Sequence, residues 1–320
     1  MRRIAAALLA GVLAPALLQQ PLEHAHTAGF TTRYRVRLVV RTELDGQRPE
    51  KIGVNAYVTP FSRRAEAQLG WLVTRRVVAV DADGTAEIQE TLGEFSEPLG
   101  SSQAQNSAEQ EARKLLDSLL QTLWQWREPA ERTLRYRQTR FGQLLEVRPE
   151  GVPPLGEQAP PLLTLWLLRA LRPAAHLPSR PVRFGERWQE PRAIELPGWS
   201  DVRGTESGEW LEARELSEPA ARLHVVQQLV GRPAGAEAAG DGTTEARFHG
   251  ESLAAVSLAN GRLLAARRAA TREIIRTLPP VAGLAEPPRF RSRLCVEVEL
   301  DECNGSPCLA PDSFAGGRFR

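Results

Sequence analysis

Lysine is almost missing from this chain. Of 41 basic residues only Lys51 and Lys114 are lysines, so nearly all the positive charge is arginine. An arginine habit spread over the whole sequence is a matter of composition, and a local arginine cluster carries correspondingly little. The formal net charge is only +2, which gives no electrostatic case for a nucleic-acid partner. Cysteine is scarce as well, confined to Cys295, Cys303 and Cys308. None stands beside the N-terminal apolar run, where bacterial lipid attachment would require one. The cysteine spacing is wrong for paired zinc ligands and no histidine lies nearby, so the expectation is no metal site and no cofactor. After the first residues no apolar run is long enough for a membrane-spanning helix.

Hydrolase signatures are missing too. Gly198-Trp199-Ser200-Asp201-Val202 begins like a nucleophile elbow but ends in valine where glycine is needed. His249, Glu251 and Ser252 supply the residue types of a triad. Yet on an alternating strand His249 and Glu251 simply share one face, which is an ordinary polar strand face. No catalytic residue is assigned, and the reading leans away from an enzyme.

What is present begins with an export signal. Arg2 and Arg3 precede an apolar run from Ile4 to Leu18, with small residues at Ala14-Pro15-Ala16. This reads as a signal peptide over residues 1–16, cut after Ala16; a cut after Ala28 is the alternative and puts His26 where a small residue is preferred. The expected location is the periplasm or the medium, with no stable membrane span after cleavage. Residues 17–31 have no period. His24 and His26 fall there, spaced like a metal-binding pair but with no third ligand, and they read as part of a tail.

The body of the chain has the grammar of antiparallel sheet. Tyr34, Val36, Leu38 and Val40 alternate with Arg33, Arg35, Arg37 and Arg41, predicting a half-buried strand over 32–44. Asp45-Gly46 supplies a turn, and strands follow over 51–59, 68–80 and 85–92, the last after a turn at Asp81 to Gly84. Ser107 to Arg127 is different: Ala112, Leu115, Leu116, Leu119, Leu120, Leu123 and Trp124 recur at spacings of three and four, predicting an amphipathic helix with a capping-box start at Ser107 and Gln110. A hairpin turning at Phe141-Gly142 follows, then a proline-rich stretch and a short apolar helix over 162–171. Strands resume over 209–216 and 221–230. A further pair, 244–258 and 262–272, turns at Asn260-Gly261 with Leu258 opposite Leu263, and a last strand covers 289–300.

The expected class is therefore α+β, mainly antiparallel β: two curved meander halves with a long amphipathic helix packed on the sheet. The expected division is a first half over 30–148 containing helix 107–127, a crossover over 149–195, a second half over 196–280, and a C-terminal strand with a cysteine-containing tail over 281–320.

Four residues, Trp71, Leu119, Leu123 and Trp124, are candidate lining residues for an apolar pocket between sheet and helix; a filled core is the other reading of the same aromatics. In an oxidising compartment Cys303 and Cys308 are candidates for a local disulfide, with Cys295 to either of them as the competitor. The arginine face of the first strand could hold phosphate or carboxylate groups, or be a solvated face paired with Glu87 and other acids; the solvated face is favoured.

The export signal, the x-Gly hairpins such as Asn260-Gly261, the long helix, and the stretch at 177–188 with Pro181-Val182, Gly185 and Trp188 together resemble uncharacterised bacterial secreted proteins. Those are similar in turn to the half-barrel, lipoprotein-carrier type of fold. The resemblance implies a curved sheet around an apolar groove and a tendency to bind apolar groups, without a catalytic residue. The functional expectation is an exported, non-enzymatic binder of an apolar or acyl-chain ligand. The alternative is a structural or protein-interaction module with a filled core, its partner an envelope protein, and a secreted hydrolase comes third.

Overall fold

The computed structural model describes residues 23–52, 55–95, 133–150, 182, 185–194, 199–215, 219–233 and 243–303. Eleven strands follow in order: β1 (Thr31–Ile52), β2 (Asn55–Val80), β3 (Ala86–Phe95), β4 (Thr133–Gln138), β5 (Leu144–Glu150), β6 (Arg187–Ala193), β7 (Trp199–Glu215), β8 (Pro219–Pro233), β9 (Thr243–Ser257), β10 (Leu263–Thr277) and β11 (Arg289–Glu302). They form one sheet in the order β5-β4-β3-β2-β1-β11-β10-β9-β8-β7-β6. Every neighbouring pair is antiparallel. The chain winds outward from β1 to one edge at β5, starts again at the other edge with β6, and winds back to the centre at β11.

The α+β class expected from the sequence is thereby corrected to all-β: among the described residues there is no helix. The stretches 107–127 and 162–171 lie outside the described residues. The two meanders, β1–β5 and β6–β11, are parts of one sheet. The last strand pairs with the first over Tyr34↔Glu302 to Gly46↔Phe290, which makes one continuous sheet.

The alternation in β1 does what it predicts. Tyr34, Val36, Leu38 and Val40 are all buried to 3 % exposure or less. Their neighbours across the ladder, Leu300, Val298 and Val296 on β11 and Trp71 and Val73 on β2, share that face, because directly opposed residues point the same way.

One turn is absent where it was expected. Asp45-Gly46 lies within β1, opposite Ser62 and Phe61. A Cβ on Gly46 would sit 2.7 Å from the rings of both Phe61 and Phe290. The glycine there makes room for two aromatic rings rather than bending the chain. At Asn260-Gly261 the turn is present but longer than two residues. Ser257 N–H donates to Arg262 O and Gly261 N–H to Ser257 O, so Leu263 faces Val256 rather than Leu258.

The sheet is strongly curled. In flat sheet β4 and β10, five strand spacings apart, would be separated by about 24 Å. Yet His24 N–H donates to Arg140 O in the β4–β5 turn, and Ala25 N–H donates to Asn260 O in the β9–β10 turn, both at 2.8 Å. Two successive amides reach both hairpin tips, so those tips lie within about 10 Å of one another. Phe141, at one tip, packs on the cluster of Trp210, Leu223, Val256 and Leu263 from the other half. Tyr34 Oη–H donates to Leu263 O at 3.1 Å across the intervening β11. The face bearing Tyr34 is therefore the inside of the curl, and long strands with their right-handed twist supply the curvature.

Residues 23–30 are the clasp that closes this end. His24 is buried, donates from Nδ1 to Gly261 O at 2.5 Å, and stacks on His26 with ring centroids 5.6 Å apart. Arg140 reaches Glu23 at 3.8 Å. Gly29 N–H donates to Val77 O, and Val77 N–H to Phe30 O.

The clasp can be tested in two ways. Gly261 has φ +65°, and a Cβ on it would lie 1.9 Å from Glu23 O, whereas Gly185, at φ +76°, has open space around it. Gly185→Ala should cost only the left-handed backbone penalty, about 1 to 2 kcal/mol. Gly261→Ala should cost more in a urea melt because it also displaces the clasp, and equal losses would rule that contact out.

The second test concerns acid. Burial, then the neighbouring His24 and Arg75, lowers the pKa of His26 to about 3. A neutral buried histidine stabilises fully above its unfolded pKa of 6.5, and that contribution is lost as pH falls from there toward about 3. Between about pH 7 and about pH 5, above the carboxylate range, the melting temperature should fall. It should fall less in His26→Gln.

Candidate functional site on the inner face

Facing positions on neighbouring strands form rows across the inside of the curl. One row in from Tyr34 and Val73, the residues Trp71, Val36, Leu300, Ala266, Ala254 and Leu223 lie in one row. Two rows on, Val40, Val296 and Ala270 continue the apolar track. The next row holds Thr42, Leu294, Arg272 and Phe248. Beyond it Phe61, Gly46, Phe290 and Arg276 line the end away from the clasp. No described element forms a second layer over this face, although Val296 and Val298 are fully buried.

Polar groups flank the track at several positions, and of three such places two are internally matched. Near the clasp, Arg75 donates to Gln138 Oε1 and Tyr136 Oη–H donates to Glu90 Oε1 at 2.6 Å, with the Arg75 guanidinium 5.9 Å from the Tyr136 ring centre. Burial pushes the Tyr34 phenol above its ordinary pKa. Toward the β6 edge, Glu206 is 1 % exposed. It accepts from Arg192 at 2.7 Å and from Gln227, and Gln227 Oε1 accepts from Arg268 at 3.3 Å. The third place is the row of Thr42 and Arg272. The side chain of half-buried Arg272 forms no hydrogen bond or ion pair with any described residue; its Nε and the Thr42 Oγ1 are both buried without partners. Burial alone lowers the Arg272 pKa from the ordinary arginine value.

The outer face is a ladder of matched charge. Arg37 meets Glu299 at 3.3 Å and Arg41 meets Glu66 at 2.7 Å and also Glu297. Arg293 reaches both Glu43 and Glu273 at 3.3 Å, and Arg135 lies 3.7 Å from Glu87. The arginine face of the first strand thus spends Arg37 and Arg41 on acids of adjacent strands.

Of the sequence candidates, Trp71 is on the inner face and 7 % exposed. Leu119, Leu123 and Trp124 lie outside the described residues, as does Cys308. Cys295 is a free thiol, between Arg41 and Thr271 on the outer face, and burial raises its pKa. It cannot reach Cys303, eight positions along the same extended strand and so about 26 Å away.

The residues considered for a triad are separated by the sheet. Ser252 lies opposite Arg268 and Val225 on the inner face, whereas Glu251 is on the outer face with His224 Nε2 2.9 Å from its Oε1. Asp201, in the stretch resembling a nucleophile elbow, is inside β7 and pairs with Arg203 at 2.6 Å. Among the described residues no group of three histidine, cysteine or acidic side chains could hold a metal ion. None of them belongs to a helix long and apolar enough to cross a membrane.

The sequence reading missed Arg272, Thr42 and Glu206. Their register across three or four strands, rather than any local spacing, brings them inside. A test follows for the Glu206 group. Glu206→Ala leaves Arg192 without its counter-charge at a buried site and should destabilise by about 3 kcal/mol in a urea melt. Adding Arg192→Leu should recover much of that, because breaking a buried pair costs more than replacing it.

No protein-family model and no curated protein matches this chain. A solved structure of lipovitellin, described by the words "Lipid-protein interactions in lipovitellin", is similar with a TM-score of 0.35 and 10 % identity, covering 91 % of this chain and 26 % of that one. The chain therefore spans about a quarter of that lipovitellin chain. At that level the likeness carries no functional argument.

Proposed function

We propose that this protein is an exported, non-enzymatic binder that holds an acyl chain or comparable apolar group against the inner face of its curled sheet. The observation that supports this most is the run of apolar residues on the two central strands, Val36, Leu38 and Val40 beside Leu300, Val298, Val296 and Leu294, on the inside of the curl. A single sheet needs something apolar against such a face. The outer face, in contrast, is occupied with its own ion pairs.

In this reading Leu119, Leu123 and Trp124 join Trp71 as candidate contacts of the apolar group. Export follows from the first sixteen residues, and a Cys303–Cys308 disulfide would suit the oxidising compartment. The affinity comes from area: about 25 cal/mol is gained per Å² of apolar surface removed from water, less the cost of holding the chain still.

The test is native mass spectrometry of the mature protein purified from the periplasm or medium, with organic extraction of whatever it carries. A stoichiometric acyl or other apolar mass is expected. A clean apo mass, together with failure of a brominated fatty acid to quench tryptophan fluorescence, would overturn the binder reading in favour of a filled core that serves a protein partner.

A further inference from the structure

Residues 23–30 hold to the sheet in two different ways. Gly29 and Phe30 exchange backbone hydrogen bonds with Val77 and so extend the β1–β2 ladder. Glu23 to His26 lie instead against two hairpin tips, and their fastening is slight. The His24 amide donates to Arg140 O, the Ala25 amide to Asn260 O and the His24 ring to Gly261 O, with a partly exposed pair of Glu23 and Arg140 at 3.8 Å. Between the two parts comes a turn, where Phe30 N–H donates to Thr27 O and Gly29 has a left-handed φ of +81°. Rotation there would swing residues 23–26 off the tips without breaking a strand pairing.

His26 is the weak member of this short part. Its Nε2 is buried without a hydrogen-bond partner, and its ring stacks on His24 at an interplanar angle of 22°. A second proton would make both ring nitrogens donors. The titratable and charged groups around it come from every neighbouring element: Glu23 and His24 on its own segment, Arg75 on β2, Tyr136 on β4, Arg140 in the β4–β5 turn, and Arg262 after the β9–β10 turn. Glu23 is engaged by Arg140, and Arg262 by Glu302 at 3.3 Å. His24 and Arg75 oppose a positive His26, while the Thr139 backbone favours one.

We propose that residues 23–26 form an acid-released clasp: below neutral pH they leave the β4–β5 and β9–β10 tips as a unit, hinged at 27–29, while the β1–β11 pairing holds. The proposal places the acid response in the clasp rather than in the whole sheet, and it stands whether or not the inner face binds an apolar group. Free of the tips, His26 returns to an ordinary histidine pKa of 6.5, against about 3 when docked, so acid favours the released form. Between about pH 7 and about pH 5 that difference should multiply the ratio of released to docked clasp roughly 25-fold.

The experiment is amide hydrogen exchange of the full mature chain, read by mass spectrometry at those two pH values and corrected for intrinsic rates. The intact mass comes first, because a cut after Ala28 would remove the clasp and overturn the proposal at once. Protection at His24 and Ala25 should fall roughly 25-fold on acidification, and protection along the β1–β11 ladder far less. In His26→Gln the clasp amides should barely respond to pH. His224→Gln, which alters an outer-face histidine paired with Glu251, should behave as wild type.

If His26→Gln does not fold, the wild-type chain still decides. Equal loss of protection in the clasp and in β1–β11 would mean that acid acts on the whole sheet, and unchanged clasp protection would mean that nothing is released. Either result overturns the proposal, as does a clasp in His26→Gln that responds to acid as the wild type does.

Discussion

The pairing of the first strand with the last is the interaction on which this architecture rests. Over thirteen facing positions, from Tyr34↔Glu302 to Gly46↔Phe290, β1 and β11 join two outward-running meanders into one sheet. Without it there would be five strands on one side and six on the other, each with an additional open edge and half an apolar face. Bringing together residues more than 240 positions apart sounds expensive. Loop-closure entropy grows only with the logarithm of length, however, so the distance costs little more than a far shorter loop would. The match is encoded on both faces at once. Inside, Val36, Leu38 and Val40 meet Leu300, Val298 and Val296; outside, Arg37 and Arg41 meet Glu299 and Glu297. A slip of one residue would reverse every one of these contacts, so the register is strongly specified.

A curl of this depth needs more than twist, and the clasp supplies the remainder. The β4–β5 and β9–β10 tips belong to different meanders and have no strand in common. Residues 23–30 tie them by donating successive backbone amides to each. Such a strap satisfies the carbonyls that tight turns leave pointing outward. It also buries His24 and half-buries His26, which makes the closed end sensitive to acid in a way the salt-bridged outer face is not. The opposite end has no comparable tie among the described residues. There Gly46 makes room between Phe61 and Phe290.

Where local pattern and local structure coincide, the sequence was sufficient. The alternation of β1 and the turns at Asp81 to Gly84, Phe141-Gly142 and Asn260-Gly261 were all readable, because each depends on a period of two or on a glycine with positive φ. Trp71 was readable as an inner residue for the same reason. Asp45-Gly46 misled because the same dipeptide serves a turn or a close approach of rings, and the rings that decide it are at Phe61 and Phe290. His24 looked like tail because its partner, Gly261, is 237 positions away. The class was misjudged on the strength of one periodic stretch, which reports on itself and not on the sheet. Arg272 was one arginine in a chain full of them, and only the ladder through β11 and β1 shows that it shares a row with Thr42.

The energetic contrast among the buried polar groups sets the inner face apart from an ordinary core. An unsatisfied buried hydrogen-bonding group costs about 1 to 3 kcal/mol, and a charged one more. Against a total stability of about 5 to 15 kcal/mol for a domain, a fold does not leave such a group idle without consequence. Glu206 has two donors, and Glu90 accepts from a tyrosine that shares its row with Ile88. On the same face the Nε of half-buried Arg272 and the Thr42 hydroxyl flank Leu294, both buried without a partner. Replacing Arg272 by leucine would remove that cost and extend the apolar track, the simpler solution for a core whose only task is to be filled.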